Sequence, residues 1–296
     1  MITAPVKDLS NGSIDFKHPE RVRRFHDTYH NEALTVRGGV INRPWTDQLL
    51  LGFTLASMHK DLQTGVRQEI VYGEKYRFGH SFMPSLQYVK RNLLHNRLDL
   101  TLTANYNRNI TTNDDTSAHA FNWRGESIPR NSPGEQNYLF LRYNDDNWNA
   151  GLDARFRLDE RNLLTFHHTF GRFGRNATSL LARENEKAPI GRGTTKHISG
   201  LSYLFTPNER WNVTAFGKFY HLHVTGPVST SDLQEKFVRK EHQLYFFGFG
   251  AAGTYRFSPH WQGKLSYERA CRLPNVDELF GDDDLESGSV TLQPEQ

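Results

Sequence analysis

The sequence predicts an all-β fold, an antiparallel transmembrane β-barrel. Three features carry that prediction: strict two-residue alternation in many segments, connections that alternate between short and long, and tryptophans spaced as interface anchors. In 148–157, WNAGLDARFR, the residues Trp148, Ala150, Leu152, Ala154 and Phe156 are apolar, while Asn149, Gly151, Asp153, Arg155 and Arg157 are small, polar or charged. A strand puts those two sets on opposite faces of a sheet. LDLTLTANY at 98–106 repeats the pattern, with Leu98, Leu100, Leu102, Ala104 and Tyr106 set against Asp99, Thr101, Thr103 and Asn105. FFGFGAAGTYRF at 246–257 repeats it again. Alternating segments of about ten residues, separated by turn residues, are what a membrane barrel needs, because only every second side chain meets lipid.

Taken in order, strand-like segments fall at 33–41, 48–59, 67–89, 98–108, 135–157, 162–172, 195–206, 211–224, 239–257 and 261–270. Residues 1–32 read as an extracellular loop segment, and 33–296 as part of the barrel. Short polar connections at 42–47, 90–97, 158–161, 206–210 and 258–260 alternate with long ones at 109–134, 173–194, 225–238 and 271–288, and a shorter one near 60–66. Up-and-down membrane barrels keep short turns on the periplasmic rim and long loops outside. Asn144-Asp145-Asp146-Asn147 has turn chemistry, but a hairpin there would invert the parity of everything downstream. The alternation therefore favours one long strand, 135–157, bulged at those residues. After His221 the apolar parity of 211–224 flips, which predicts a bulge at the outer rim or emergence into an extracellular hairpin. Both faces of QLLLGFTLA (48–56) are largely apolar, which a barrel does not explain well.

Trp45, Trp211 and Trp261 lie in or beside short turns. Trp148 lies nine positions from Arg157. At about 3.3 Å per residue and a tilt near 40°, that is roughly 23 Å of height, close to the ~25 Å apolar band.

Composition agrees. Hydrophobic residues make up 36% and aromatics 12% of 296 residues, and mean hydropathy is −0.68. No stretch approaches the roughly 20 apolar residues of a spanning helix. The 36 basic and 33 acidic residues nearly cancel, at +3, and no basic run interleaved with aromatics points to nucleic acid. Cys271 stands alone, so an intrachain disulfide and a cysteine metal cluster are excluded. MITAPVKDLSNG lacks a charged region followed by an apolar one, so no secretory signal is present. The expectation is an internal barrel segment.

Other motifs have structural explanations. GFGAAG, with Gly248, Gly250 and Gly253, formally matches a dinucleotide fingerprint, but the alternation continues through TYRFSPHW where a helix is required. Glycines relieving crowding on a curved wall explain it better. His167 and His168 are adjacent on a strand and face opposite ways. His221 and His223 share a face, yet no third metal ligand is visible. Asp282-Asp283-Asp284 with Glu286 reads as a solvated acidic loop. No nucleophile–base spacing recurs. The chain is therefore expected to have no catalytic residue, no cofactor and no metal site.

One stretch carries a resemblance. Residues 266–281 read SYERACRLPNVDELFG, and SVTLQPEQ follows at 289–296. This resembles the late barrel of TonB-dependent outer-membrane receptors. Arg272, Leu273, Pro274, Asp277, Glu278, Leu279, Phe280 and Gly281 match the first part of the family pattern, and Leu292, Pro294 and Glu295 match the second. Ser289-Val290-Thr291 stands where the family carries Asn-Pro. NRPWTDQLLLG, FMPSLQYVKRNLL and AFNWRGE resemble counterparts in the Bacteroidetes branch. The resemblance implies a 22-stranded barrel of which about ten strands are present here, and a plug domain that this chain does not contain. It also implies active import of a nutrient, driven by TonB, across the outer membrane of a Gram-negative bacterium.

Partners then follow: outer-membrane lipid, the receptor's own plug, TonB, and a small ligand such as an iron chelate, haem, cobalamin or an oligosaccharide. The polar set Asp99, Thr101, Asn105, Asp153, Arg155, Arg157, Lys264 and Glu268 would line the lumen. Trp123, Arg124, Tyr138 and Tyr143 are candidate ligand-facing residues on position alone. Two other readings stay open: a soluble β-rich glycan-binding module, and a passive porin.

Overall fold

A computed structural model describes residues 1–65, 67–181, 191–229, 237–275, 278–279, 289, 292–293 and 295. Two short strands, β1 (Ile2–Ala4) and β2 (Glu20–Val22), pair with each other ahead of the wall. Then come β3 (Tyr29–Arg43), β4 (Thr46–Asp61), β5 (Tyr76–Asn92) and β6 (Leu98–Asp115). A small hairpin, β7 (His119–Phe121) with β8 (Ser127–Pro129), interrupts the series. The wall resumes with β9 (Leu139–Arg157), β10 (Asn162–Ser179), β11 (Arg192–Asn208), β12 (Trp211–Ser229), β13 (Phe237–Ser258) and β14 (Trp261–Arg269).

The ten long strands form one antiparallel sheet in which sequence neighbours are spatial neighbours, β3 through β14 with β6 beside β9. Each strand reverses the last, so the five tight turns after β3, β5, β9, β11 and β13 fall on one rim. The long connections fall on the other. β3 and β14 are the sheet's two edges.

Cross-strand partners share a face, so the register sorts every side chain. Leu102 pairs with Leu152 and Tyr106 with Trp148, while Leu201 faces Gly217 and Phe219 faces Phe247. These belong to a continuous apolar face. Thr101 opposite Asp153, and Asn105 opposite Asn149, belong to the other. In 48–56, Leu49, Leu51, Phe53 and Leu55 lie on the apolar face, which leaves Leu50 as the one large apolar side chain on the polar face. The apparent two-sidedness of that segment is largely removed by Gly52, Thr54 and Ala56.

Several expected boundaries move. β6, β10 and β12 end at Asp115, Ser179 and Ser229, each at least five residues beyond the expected ends at 108, 172 and 224. Alternation stops where the outward face leaves lipid, but ladder hydrogen bonds continue beyond it. The segment 67–75 is not strand: β5 begins at Tyr76, and Val71 and Tyr72 are apolar because they are buried in a rim cluster. β9 begins at Leu139 and, as expected, runs straight through Asn144–Asn147. The bulge expected there is absent, since its ladders with β6 and β10 pair residue for residue.

β12 shows no bulge at His221: it pairs with β13 in unbroken register from Trp211–Tyr255 to Ser229–Phe237, and its ladder with β11 shifts only beside the tight turn, between Phe205 and Asn208. Its parity flip has another cause. Leu222 and Val224 lie on the polar face and are covered there by another segment of the chain. The glycines of GFGAAG sit in mid-strand, with no helix after them. A Cβ on Gly250 would stand 2.4 Å from the Phe216 ring and 2.6 Å from the Tyr267 carbonyl oxygen, and one on Gly248 2.8 Å from the Arg269 carbonyl oxygen, so crowding requires glycine at both; at Gly253 a Cβ would meet nothing within 4 Å, and crowding does not explain that glycine.

Candidate functional site: the polar face and the loop-side rim

The polar face is chemically dense. Asp99 accepts from Arg157 at 2.6 Å, and Glu268 from Lys218 at 2.6 Å. The imidazole of His167 meets Asp153 at 2.7 Å. Higher on the wall, Arg175 binds Asp145 with two hydrogen bonds of 2.8 Å and lies over the Tyr143 ring at 5.3 Å. Alternation fixes this arrangement, since each pair joins residues on one face of adjacent or next-nearest strands. Such bidentate Arg–carboxylate pairs hold side chains in defined geometry.

At the loop-side rim three segments fold together. Ala4 and Val22 from the β1–β2 pair, Val71 from the β4–β5 connection and Trp123 from the β7–β8 hairpin form a small core. Two buried carboxylates fasten it to the wall. Asp115, at the end of β6, is fully buried and accepts the backbone N–H groups of Glu135, Gln136 and Asn137 at 2.5, 3.1 and 2.9 Å. Lys75 Nζ lies 3.4 Å from it. Glu135 in turn accepts from the N–H groups of Gly73 and Glu74 at 2.6 and 3.0 Å. Burial pushes the Glu135 carboxyl above its ordinary range, against the lowering effect of those hydrogen bonds.

The four candidate ligand-facing residues separate. Trp123 is 2% exposed, and its indole N–H donates to the Gln68 carbonyl at 2.9 Å, so it serves as the core of the rim cluster. Arg124 is exposed and forks onto Glu20 at 3.1 and 2.5 Å. Tyr138 is exposed just before β9. Tyr143 alone stands on the polar face of the wall, beside Arg175.

The stretch after β14 turns back over the polar face. Leu279 is 1% exposed and packs with Leu222, Val224 and Leu244, with Leu273 beside them. Pro274 is buried. Asn275 and Glu278 cap each other reciprocally, with N–H to Oε2 at 2.9 Å and N–H to Oδ1 at 2.8 Å. Arg272 donates to Glu278, lies 3.4 Å from Glu295, and pairs its backbone with Glu295. The Glu278 carboxyl is held below its ordinary range, first by the Asn275 N–H and then by Arg272. Leu292 is exposed. Asp277, Phe280, Gly281 and Pro294 lie outside the described residues, as does the acidic loop 282–286.

Sequence reasoning missed this seat of Leu222, Val224 and Leu244. The parity flip after His221 was its signal, because apolar residues on a polar face need a cover. The histidines behave as their positions require. His168 turns away from His167 and meets Ser199 Oγ at 2.8 Å, while His221 stacks on His197 with ring centres 5.8 Å apart. Among the described residues no group of three or more His, Cys, Asp or Glu is placed to hold a metal.

Apolar and polar faces in register across ten antiparallel strands, with tight turns on one rim and long loops on the other, define the wall of a membrane β-barrel. The family model "TonB dependent receptor-like, beta-barrel" matches residues 22–296, and the chain belongs to that family. A solved structure with a similar fold is the apoprotein form of the FrpB iron transporter from Neisseria meningitidis (F5-1 variant). The likeness has a TM-score of 0.56 at 12% identity and covers 88% of this chain and 39% of that one. No curated protein sequence matches the chain.

Proposed function

We propose that this chain forms part of an outer-membrane receptor that imports a scarce nutrient, with energy delivered by TonB. The observation that carries the reading is the register itself: one face suits lipid over ten strands, and the other carries ion pairs that suit a water-filled or protein-filled interior. A soluble module has no use for Leu102, Leu152, Leu201 and Phe247 repeated on one open face. In this reading the tight turns are periplasmic and the rim cluster, residues 1–28 included, is extracellular. A plug in the full-length receptor meets the ion-paired interior. Tyr143 with Arg175 is the first ligand contact on the wall, and Tyr138 and Arg124 lie on the approach to it. Iron chelates, haem, cobalamin and oligosaccharides are the candidate ligands, and FrpB, an iron transporter, favours trying iron chelates first.

The test is uptake in a Gram-negative host deleted for its own receptors and carrying the full-length gene. Labelled chelate should accumulate, and a protonophore or loss of TonB should abolish accumulation. Accumulation that survives both treatments would identify a passive pore instead.

A further inference from the structure

Gly253, on the apolar face of β13, leaves space there instead of relieving a contact, since a Cβ on it would meet nothing within 4 Å. It stands opposite Val213 on β12 and Leu265 on β14. With Ala251 and Gly263 it floors an apolar hollow of about 560 Å³. Rings rise around that floor. Trp211 lies against Tyr255 with ring centres 4.6 Å apart, and Phe257 stands edge-on to Tyr255 at 4.9 Å. Tyr267 closes the far end, 6.4 Å from Phe249. β13 is flanked by β12 and β14, and any strand added beyond β14 would stand about 10 Å from Gly253.

The dimensions select the occupant. Val213 and Leu265 are two strand spacings apart, about 10 Å between backbones, and their side chains narrow the gap. A helix, about 10–12 Å across with its side chains, does not enter it. A chain one methylene wide, about 4 Å thick, does. The wall of a second barrel would bridge the rings and leave the floor empty. From Tyr255 to Phe249 the strand climbs about 15 Å, at ~3.3 Å per residue and a tilt near 40°, which matches one leaflet of a ~30 Å hydrocarbon core. Among lipid tails apolar surface alone attracts nothing, so packing decides. An unfilled hollow forfeits dispersion contacts along its whole lining. Resting on the membrane-barrel reading above, we infer that this hollow is a seat for one acyl chain of a membrane lipid, drawn from the leaflet at the tight-turn rim. The exposed indoles of Trp211 and Trp261 at that rim mark the level of its headgroup.

The experiment uses the full-length gene product in phosphatidylcholine vesicles that include a phosphatidylcholine with a diazirine midway along one acyl chain. After irradiation and proteolysis, mass spectrometry counts lipid adducts at each residue. Adducts at Val213, Ala251, Leu265 and Tyr267 should exceed those at Leu102, Phe166 and Leu201 by about fivefold or more, because a seated chain stays longer than its neighbours. The three reference residues lie on the same apolar face, outside the hollow. Gly253→Leu fills the hollow and should bring the ratio to about one. Ala154→Leu, on the same face opposite Leu100, should leave it unchanged.

Assembly of each variant is checked by heat-modifiable migration. If Gly253→Leu does not assemble, Ala251→Leu fills the same floor in its place. Even labelling along the apolar face of the wild type overturns the inference, and so does an excess that persists in an assembled filled variant. In a Cys271→Ser background, a Gly253→Cys disulfide between two barrels, with few adducts in the hollow, would make a second copy the occupant and also overturn it. Even labelling leaves the membrane reading intact and sinks the acyl seat alone. Adducts nowhere on the apolar face would sink both.

Discussion

Leu279→Ala should detach the segment after β14 from the wall without unfolding the wall. Leu279 is 1% exposed, among Leu222 and Val224 at 1% and Leu244 at 5%. The truncation removes three buried carbons at about 0.8 kcal/mol each, or roughly 2.4 kcal/mol of transfer energy. Buried Leu→Ala changes span about 2–5 kcal/mol, depending on how far the site collapses. The seat is one-sided and its cover hangs from a single strand, so it can close up, and the cost should lie near 2–3 kcal/mol. Native-state hydrogen exchange reads this as local opening. The N–H of Leu279 bonds to Asn275, that of Ser289 to Glu278 and that of Glu295 to Arg272. Protection of these amides should fall roughly 30- to 150-fold, at 1.36 kcal/mol per decade. Amides of β9 and β10 should not change. Leu292→Ala, at an exposed position, should alter protection less than threefold. If Leu279→Ala leaves the three amides unchanged, or loosens the whole wall equally, the cover does not stabilise the segment in this way.

Four further outcomes are expected. Leu102→Arg, on the apolar face midway between Leu98 and Tyr106, should cost about 2–4 kcal/mol in lipid, with Thr103→Arg on the other face much milder. Equal losses in urea refolding would remove the basis for the orientation. In a Cys271→Ser background, cysteine at Ser132 should react with an impermeant maleimide on intact cells, whereas cysteine at Asn208 should react only after the outer membrane is opened. The reverse pattern would invert the rims. Asp115→Ala leaves three buried backbone donors without their acceptor and takes the neighbouring carboxylate from Lys75, which keeps its bond to Gln136 Oε1; it should cost about 3–5 kcal/mol of rim stability, seen as rapid proteolysis within 116–138, and resistance equal to wild type would refute it.

The fourth concerns pH. Glu278 has a lowered pKa, so its contribution is present above the ordinary value of 4.5 and lost as pH falls through its folded value. Glu135 has a raised pKa, so its contribution is full below 4.5 and lost as pH rises through its folded value. Acidification from pH 7 toward 4 should therefore strengthen protection at Gly73 and Glu74, while that at Asn275 and Glu278 weakens only below 4.5. Changes of the same sign at both places would contradict the assigned partners.

Strand identity was legible because lipid imposes a period of two on residues such as Leu98, Leu100 and Leu102, whatever else they do. Strand length was not. Beyond the lipid the ladder needs only backbone groups, and the side chains of Thr111, Asn113 or Ala177 carry no signal of pairing. The rim cluster was illegible for a related reason. Val71 and Trp123 are far apart in sequence and meet through irregular backbone, so Val71 reads as strand and Trp123 as a ligand contact. Asp115 looks like any loop carboxylate until its three N–H partners, twenty or more residues away, are placed around it. Tyr143 was chosen on position alone, within the expected strand 135–157, and alternation from Asp153 and Arg155 places it on the polar face.

The same parity logic joins the two halves of the molecule. A barrel strand must switch its chemistry where it leaves lipid, and β12 makes that switch at His221 without a bulge. Its outward positions turn polar at His221 and His223, and its inward ones turn apolar at Leu222 and Val224. Inward apolar residues would be a liability in an aqueous passage, and they are instead the seat for Leu273 and Leu279. The motif that resembles the family thus has a physical basis in this chain. Arg272 and Glu278 clasp the ends of a short turn, Asn275 caps it, and the leucines anchor it over the passage. A segment held by one small apolar seat and one exposed clasp is easier to displace than the ten-strand wall beneath it, so local opening at this end should begin there.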